Sequence, residues 1–265
     1  VNYLSKIVNY SQSTIKQNYE LLCMGFADAK YQGIIKENFM EGYKRVEKPK
    51  SEYESKERKS LTIQEEKTLA QYLNTISYEK CPNKYLFLLL LITGMRIGEA
   101  LTLDYEKDIN LEENTIDIKR TLTKDIHGKV TIGETTKTDC GRRIIKMNAI
   151  SRQIIEKALE HSIKNKNHLL FCQKNGKMHI ENSINSCLKR IAIKLDIGIY
   201  DDINKAGKKV KNTDVHTHML RGTFATRCAE AKIAPIVLKQ ILGHKDIETT
   251  MKYYIDVDTE FIQSE

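Results

Sequence analysis

Two arginines and two histidines are spaced in this sequence so that a fold could bring them to one anionic group. His218 and Arg221 stand three positions apart, which places both side chains on the same face of a helix. Arg96 and His244 each follow shortly after a glycine that can end a helix. Donors of these types can grip the non-bridging oxygens of a phosphodiester and stabilise the extra negative charge of a pentavalent transition state.

Tyr253, nine positions after His244, is a candidate nucleophile for the same phosphate. A tyrosine phenol with its ordinary pKa of about 10 is a poor nucleophile at neutral pH, so the reaction needs nearby positive charge or a base. The arginines and histidines can supply both. The departing 5′ oxygen needs a proton donor, and Lys137, on a predicted loop between two strands, is the candidate acid.

Four sequence blocks carry these residues in an order that resembles the tyrosine recombinases of the phage integrase type. The blocks are residues 93–100, Lys137-Thr138, residues 218–221 and residues 242–244, with Tyr253 after the last block. The resemblance extends over residues 61–253. Within this family, the sequence is most similar to the integrases of conjugative transposons and related phages.

The resemblance implies a role for each of these side chains. It implies two catalytic arginines, two catalytic histidines, a β-hairpin lysine and a tyrosine nucleophile, which fall on Arg96, Arg221, His218, His244, Lys137 and Tyr253. Glu99 matches the acidic residue that supports the first arginine. The implied reaction cleaves and rejoins DNA through a 3′-phosphotyrosine and a free 5′ hydroxyl, for integration and excision of a mobile element. It requires no cofactor and no catalytic metal.

Two positions depart from the expected pattern or leave it open. Gly222 stands where relatives usually have a second histidine beside the arginine, a change that we expect to alter packing more than chemistry. Tyr254 neighbours Tyr253, so the assignment of the nucleophile rests on its spacing from His244.

The net charge supports a polyanionic partner. Lys and Arg number 43 against 35 for Asp and Glu, which gives a charge of +8 and a pI near 9.0. Basic residues precede the helix of His218 or begin a predicted strand, and they are candidates for DNA backbone contacts: Lys205, Lys208, Lys209, Lys211, Arg142 and Arg143. Contacts of this kind position DNA without reading its sequence, and the alternative is a solvated charged face.

The elements that must position these residues are mostly helical, with a small antiparallel β-sheet. Three runs over residues 116–118, 130–132 and 143–147 alternate or extend as strands do, with a turn at His127-Gly128. From Ala149 onward we expect helices, interrupted by a loop over residues 204–212. The fold class is therefore mostly α with a small antiparallel sheet.

Two domains and a linker are expected along the chain. Residues 1–48, with apolar residues every three or four positions through residues 13–43, predict a helical domain. The resemblance identifies it as a DNA core-binding domain lacking its N-terminal part. Residues 49–59 are dense in Lys and Glu without an apolar face and predict a linker. Thr62 and Glu65 form a capping-box signature, so residues 60–265 are expected to be the catalytic domain.

Other classes of protein find little support in the sequence. The six cysteines are scattered, without a CxxC pair, which argues against a disulfide framework or a metal cage. The most apolar run, residues 85–92, is much shorter than the roughly 18 residues of a membrane span. We therefore expect a cytoplasmic protein that has no membrane partner, and the resemblance implies a bacterial one.

The expected partner is double-stranded DNA carrying element ends and target sites. The resemblance implies a monomer in solution, a cyclic tetramer on DNA and an accompanying directionality factor. Two alternatives stay open: a type IB topoisomerase, which uses the same chemistry without exchanging strands between duplexes, and a catalytically silent DNA-binding regulator with the same fold. The complete set of residues, including Tyr253 and Lys137, argues against the regulator.

Overall fold

The computed structural model describes residues 10–41, 58–133, 141–203 and 207–264, with the side chains of the last helix described through residue 257. The chain divides into two compact units, Val1–Glu57 and Arg58–Glu265. Most of the expected linker, together with Lys137 and Lys205, lies outside the described residues.

The first unit contains one described helix, α1 (Gln12–Tyr31). The Ser11 hydroxyl caps it by accepting from the backbone N–H of Thr14, at 3.3 Å. Ile15 and Tyr19 are its buried residues, in agreement with the apolar periodicity. The helical expectation through residue 43 is wrong beyond Tyr31, because Gly33 adopts a left-handed φ of 73° and residues 32–41 form turns and bends.

The second unit is mostly helical with small antiparallel sheets, which confirms the predicted fold class. Its helices are α2 (Ile63–Thr75), α3 (Lys84–Thr93), α4 (Ile97–Ala100), α5 (Ala149–Glu160), α6 (Glu181–Lys194), α7 (Thr217–Glu230), α8 (Pro235–Leu242) and α9 (Ile247–Ser264). Its strands are β1 (Ile109–Asn110), β2 (Thr115–Ile118), β3 (Thr121–Lys124), β4 (Val130–Gly133), β5 (Arg143–Lys146), β6 (Ile199–Ile203) and β7 (Lys209–Thr213).

The predicted capping box opens the second unit. The Glu65 backbone N–H donates to the Thr62 hydroxyl and the Thr62 backbone N–H donates to the Glu65 carboxylate, at 3.2 and 2.9 Å. Two orphan donors at the start of α2 are thereby satisfied. Arg58, the first residue of this unit, also donates to Glu65 and to Asp214, which fixes the start of the unit to its own later segments.

Helix α3 is the centre of the main core. It is apolar on all sides and packs against α2, α5 and α7, which is why almost all its side chains are buried. It ends at Gly94, whose φ of 63° is left-handed. A Cβ at Gly94 would lie 2.4 Å from the Phe224 ring, so only glycine allows the turn that leads to Arg96.

The strands differ in their pairing from the single three-stranded sheet that was expected. β1, β2 and β5 form one antiparallel sheet, with Ile116 opposite Ile145. β4 pairs instead with β3 in a separate hairpin, whose turn includes the predicted Gly128 at φ 77°. Local alternation shows that a segment is extended, whereas its partner depends on tertiary packing.

A second hairpin replaces part of the expected loop over residues 204–212. β6 and β7 pair antiparallel from Ile199 opposite Thr213 to Ile203 opposite Lys209. The strands are polar and mostly exposed, and Asn212 donates a side-chain hydrogen bond to Asp202 at 2.7 Å. Such strands lack the alternation of a half-buried sheet, so the sequence pattern did not reveal them.

None of the helices in the described part of the chain has both the length and the apolar character that crossing a membrane requires.

Candidate active site

Arg96 is positioned by the short helix that it precedes. It is the N-cap of α4, and its backbone N–H donates to the Glu99 carboxylate at 2.9 Å. Its Nη1 donates to the other oxygen of Glu99 at 2.8 Å, and its Nη2 donates to the carbonyl of Gly243 at 3.2 Å. The predicted support of the first arginine by Glu99 thus has a direct geometric counterpart.

Arg221 lies in the interior on α7, with 1% of its surface exposed. It donates to the carbonyl oxygens of Gly94 and Leu242, at 2.7 Å each, and so joins the ends of α3 and α8. Burial lowers the pKa of Arg221 to about 9, and the charge of Arg96 acts in the same direction. The guanidinium therefore stays protonated at neutral pH. Its buried Nε has no hydrogen-bond partner among the described residues.

His244 is held directly after the turn that ends α8. Gly243 takes a left-handed φ of 64°, as its position after the helix predicted. The His244 ring is buried and its Nδ1 is 2.9 Å from the hydroxyl of the buried Thr250. Burial, followed by the charges of Arg221 and Arg96, lowers the pKa of His244 to about 3. The imidazole is therefore neutral at physiological pH.

His218 lies one helical turn before Arg221 and is exposed. Its ring stacks on that of His216, with centroids 6.5 Å apart and planes at 15°. Together with Arg96 and Arg221, it lines an open cavity of about 440 Å³. His244 and Tyr253, both described, are not among the residues that line it.

Tyr253 lies on α9 and is half-buried against a small apolar cluster that includes Cys228 and Leu242. Burial raises the pKa of Tyr253 above its ordinary value. The charges of Arg221 and Lys59 oppose this increase, and Asp256 adds to it. The phenol is thus within the electrostatic reach of the second arginine.

Tyr254 packs against the same apolar cluster, but its hydroxyl has a defined backbone partner. Its hydroxyl donates to the backbone carbonyl of Ile233, outside the cavity. Burial raises the pKa of Tyr254 as well, with a further contribution from Cys228 and none from an arginine. Of the two adjacent tyrosines, Tyr253 is the one that senses Arg221, which favours it as the nucleophile.

The remaining predicted residues are placed in different ways. Lys137 lies outside the described residues. Arg142, Lys208, Lys209 and Lys211 are exposed, with Lys211 3.5 Å from Asp196. Arg143 differs from the expectation of a DNA backbone contact, because its side chain is 7% exposed and is paired with Glu99. No group of His, Cys, Asp and Glu suited to hold a metal occurs in the described ranges.

Two lysines near the site were missed from the sequence. Lys245 lines the cavity with Arg96 and His218, and its position next to His244 was the available signal. Lys59 lies near Tyr253, 194 positions away in the chain, and no local pattern could have connected the two residues.

Comparison with known proteins identifies the family. The model of the phage integrase family matches residues 59–260. The transposase from transposon Tn916 of Enterococcus faecalis is 30% identical over 200 residues, which cover 72% of this chain and 46% of the relative. Tyrosine recombinase XerA of Saccharolobus solfataricus is 30% identical over 196 residues, which cover 74% of this chain and 53% of the relative.

This chain therefore belongs to the phage integrase family, as the four sequence blocks predicted. It spans about half the length of the curated relatives that it matches. Solved structures with the same fold include an integrase and a recombinase. The Tn1549 transposon integrase in complex with a circular intermediate DNA has a TM-score of 0.73 at 23% identity, covering 98% of this chain and 82% of that one. The XerH recombinase bound to difH has a TM-score of 0.60 at 22% identity, covering 95% and 65%.

Proposed function

We propose that this protein is a site-specific DNA recombinase that cleaves and rejoins strands through a 3′-phosphotyrosine on Tyr253, for integration and excision of a mobile element. The observation that carries the proposal is the state of Arg221. It is a buried cation at the cavity, its described hydrogen bonds go to carbonyl oxygens, and its Nε is unpaired. A buried donor without a partner costs about 1–3 kcal/mol, which a phosphate oxygen in the cavity would offset.

In the first step the phenolic oxygen of Tyr253 gives its proton to His218, which acts as the base, and attacks the scissile phosphorus, while the bond from phosphorus to the 5′ oxygen breaks. Arg96 and Arg221 stabilise the negative charge that accumulates on the non-bridging oxygens. His244 is neutral, so it acts as a hydrogen-bonding group, while His218 reaches the phosphate from the exposed side of α7. Lys137 is proposed to protonate the departing 5′ oxygen.

The second step reverses the first with a different strand. A free 5′ hydroxyl from the partner duplex attacks the phosphotyrosine, which releases Tyr253 and restores a phosphodiester. Because one phosphodiester bond is exchanged for another ester of similar energy, no nucleotide hydrolysis is needed.

The domain organisation follows from this function. We propose that residues 1–48 belong to a core-binding domain, that residues 49–59 link the domains, and that residues 60–265 form the catalytic domain. Exposed Arg142, Lys208, Lys209 and Lys211 would neutralise DNA phosphates. We further propose a tetramer on two DNA duplexes in the bacterial cytoplasm, with a directionality factor to bias excision.

A suicide-substrate assay tests the chemistry. A duplex with the DNA end of the element that encodes this chain carries a nick beside the cleavage position, so that the released fragment diffuses away and the adduct accumulates. We expect a covalent protein–DNA band on a denaturing gel for the wild type and for Tyr254→Phe, but none for Tyr253→Phe. Loss of the band only in Tyr254→Phe would move the nucleophile by one residue.

Two further outcomes distinguish the alternative functions. DNA binding without any adduct would favour a catalytically silent regulator. Adduct formation and plasmid relaxation without exchange between two element sites would favour a type IB topoisomerase. Recombinant product from two sites, dependent on Tyr253, is the result that we expect.

A further inference from the structure

Arg143 begins strand β5, but its side chain points into the protein. Its Nη1 and Nη2 donate to the two carboxylate oxygens of Glu99, at 3.0 and 2.8 Å. This two-pronged geometry is the strong form of an arginine–carboxylate contact. Both side chains are shielded from water, with 7% and 1% of their surfaces exposed. The pair is therefore a buried part of the site and not a surface ion pair.

The same carboxylate also holds Arg96. Each oxygen of Glu99 accepts one bond from Arg96 and one from Arg143. Two guanidinium groups thus share one negative charge, and Arg96 is the more exposed of them, at 39%. Because Arg143 already compensates Glu99, a surplus of positive charge remains on the side of the cavity.

Two further bonds connect Arg143 to segments that carry other site residues. Its Nε donates to the carbonyl of Ile241 at 2.6 Å, three positions before His244. Its Nη1 also donates to the carbonyl of Gly141 at 3.1 Å, where the chain returns from the segment that contains Lys137. One side chain therefore joins α4, the end of α8 and the entry to β5.

We propose that Arg143 is a positioning residue for Arg96. It holds Glu99 and compensates the charge of that carboxylate, so that Arg96 is correctly oriented and its positive charge acts on the scissile phosphate. This inference rests on the proposed recombinase function. It replaces the expectation that Arg143 contacts the DNA backbone, a role that its exposed neighbour Arg142 can fill.

The experiment compares Arg143→Met and Arg143→Lys with a matched control, Arg152→Met. Arg152 also anchors the fold through a side chain, with Nη1 donating to the Leu111 carbonyl and to Asn114 at 2.6 Å each, but neither of these partners lines the cavity, whereas Glu99 and Gly141, the partners of Arg143, both do. For each variant we would measure thermal unfolding, the Kd for intact element-end DNA by fluorescence anisotropy, and the single-turnover rate of adduct formation on the nicked duplex.

Arg143→Met is expected to slow adduct formation on the order of 100-fold, because a misplaced group at the reacting phosphate has effects of this size. Its Kd for DNA is expected to stay within about twofold, since no phosphate contact is removed. Arg143→Lys keeps the charge without the planar fork, so an intermediate rate, about tenfold below the wild type, is expected. Arg152→Met should unfold at a lower temperature but form adduct at the wild-type rate per folded molecule.

The pH dependence distinguishes positioning from general destabilisation. In the wild type, burial raises the pKa of Glu99, but the Arg143 hydrogen bond and the charges of Arg143 and Arg96 outweigh burial and leave it below its ordinary value. Without Arg143 the pKa of Glu99 rises, although Arg96 and the nearby Arg221 still oppose protonation. The acidic limb of the rate profile should therefore move to higher pH in Arg143→Met, whereas a general structural defect would lower the rate equally at each pH.

Several results would overturn the inference. One is weaker and less salt-dependent DNA binding by Arg143→Met with an unchanged adduct rate at saturation, which would identify a phosphate contact. Another is a wild-type rate in both Arg143 variants. If Arg143→Met does not fold, Arg143→Lys decides. A wild-type adduct rate and pH profile in Arg143→Lys would overturn the inference, whereas an adduct rate about tenfold below the wild type, with the acidic limb at higher pH, would support it. No adduct in the wild type would instead refute the proposed recombinase activity, and this inference with it.

Discussion

The carbonyl oxygen of Lys59 lies against Gly222, only 2.0 Å from the place that a β-carbon of residue 222 would occupy. The chain thus enters the second unit across helix α7, and the same β-carbon would lie 3.9 Å from Cε1 of Tyr253. Gly222, where the resemblance led us to expect a histidine, therefore permits a close backbone approach beside the proposed nucleophile. A histidine at this position does not fit unless the Lys59 backbone moves.

Gly222→Ala is expected to lower the free energy of unfolding by about 1–3 kcal/mol, because the added methyl group overlaps backbone that cannot rotate away. The measurement is the urea unfolding midpoint, with adduct formation followed in parallel. Gly25→Ala is the control, since Gly25 lies in helix α1 and its added β-carbon would meet no atom within 4 Å beyond its own helix backbone and chain neighbours. A Gly222→Ala variant as stable as the wild type would contradict the observed approach of Lys59.

Lys59 and Asp256 form an ion pair, with Nζ 2.8 Å from Oδ2, one turn after Tyr253. Both side chains are about half exposed, so the pair contributes little to stability, about 0–1 kcal/mol. The two charges also act on the phenol of Tyr253 in opposite directions, because Lys59 lowers its pKa and Asp256 raises it.

Lys59→Glu is therefore expected to raise the pKa of Tyr253 further and to slow adduct formation at neutral pH, with partial recovery at higher pH. The swapped variant Lys59→Glu with Asp256→Lys restores both the ion pair and a nearby positive charge, so its rate should approach that of the wild type. Equal rates in the single and the swapped variants would show that neither charge acts on the nucleophile.

The neutral His244 predicts a pH dependence of stability. The pKa of His244 is lowered to about 3 from an ordinary 6.5, so the unfolded chain binds a proton between these values that the folded chain does not. The contribution of His244 to the free energy of unfolding is therefore fully present above about pH 6.5 and is lost as the pH falls toward 3. Glu99 adds acid sensitivity below 4.5, which a measurement at about pH 5 avoids.

His244→Gln should reduce the loss of stability between about pH 7.5 and about pH 5, measured as the change in urea midpoint. The exposed His127 provides the control, and His127→Gln should leave that loss as in the wild type. An identical loss in all three proteins would mean that His244 is not buried as a neutral ring.

The exposed lysines of the β6–β7 hairpin should act through the DNA backbone. Lys209→Gln combined with Lys211→Gln is expected to weaken DNA binding and to reduce the slope of log K against log salt by about 0.9 for each phosphate that is no longer neutralised. Lys107→Gln combined with Lys157→Gln, which changes two exposed lysines outside the hairpin, removes the same two charges and serves as the control. An unchanged slope in the hairpin variant would assign these lysines to a solvated face.

Much of the site could be predicted because its information is local. The three-residue spacing of His218 and Arg221 sets their direction on any helix, and Gly94 and Gly243 end helices because they adopt a left-handed φ at little cost. The order of the blocks around these residues identified the family before any contact between them was known.

Tertiary structure decided the rest, because a sequence pattern does not state which elements face each other. Arg142 and Arg143 are chemically identical neighbours, and only the packing of β5 against α4 and α8 turns the second one toward Glu99. Adjacent Tyr253 and Tyr254 differ in the same way, since the charge of Arg221 lowers the pKa of Tyr253, whereas the hydroxyl of Tyr254 donates to the carbonyl of Ile233. The sequence thus determines the chemical types of the site residues. Their burial and the charges that surround them depend on contacts between segments far apart in the chain.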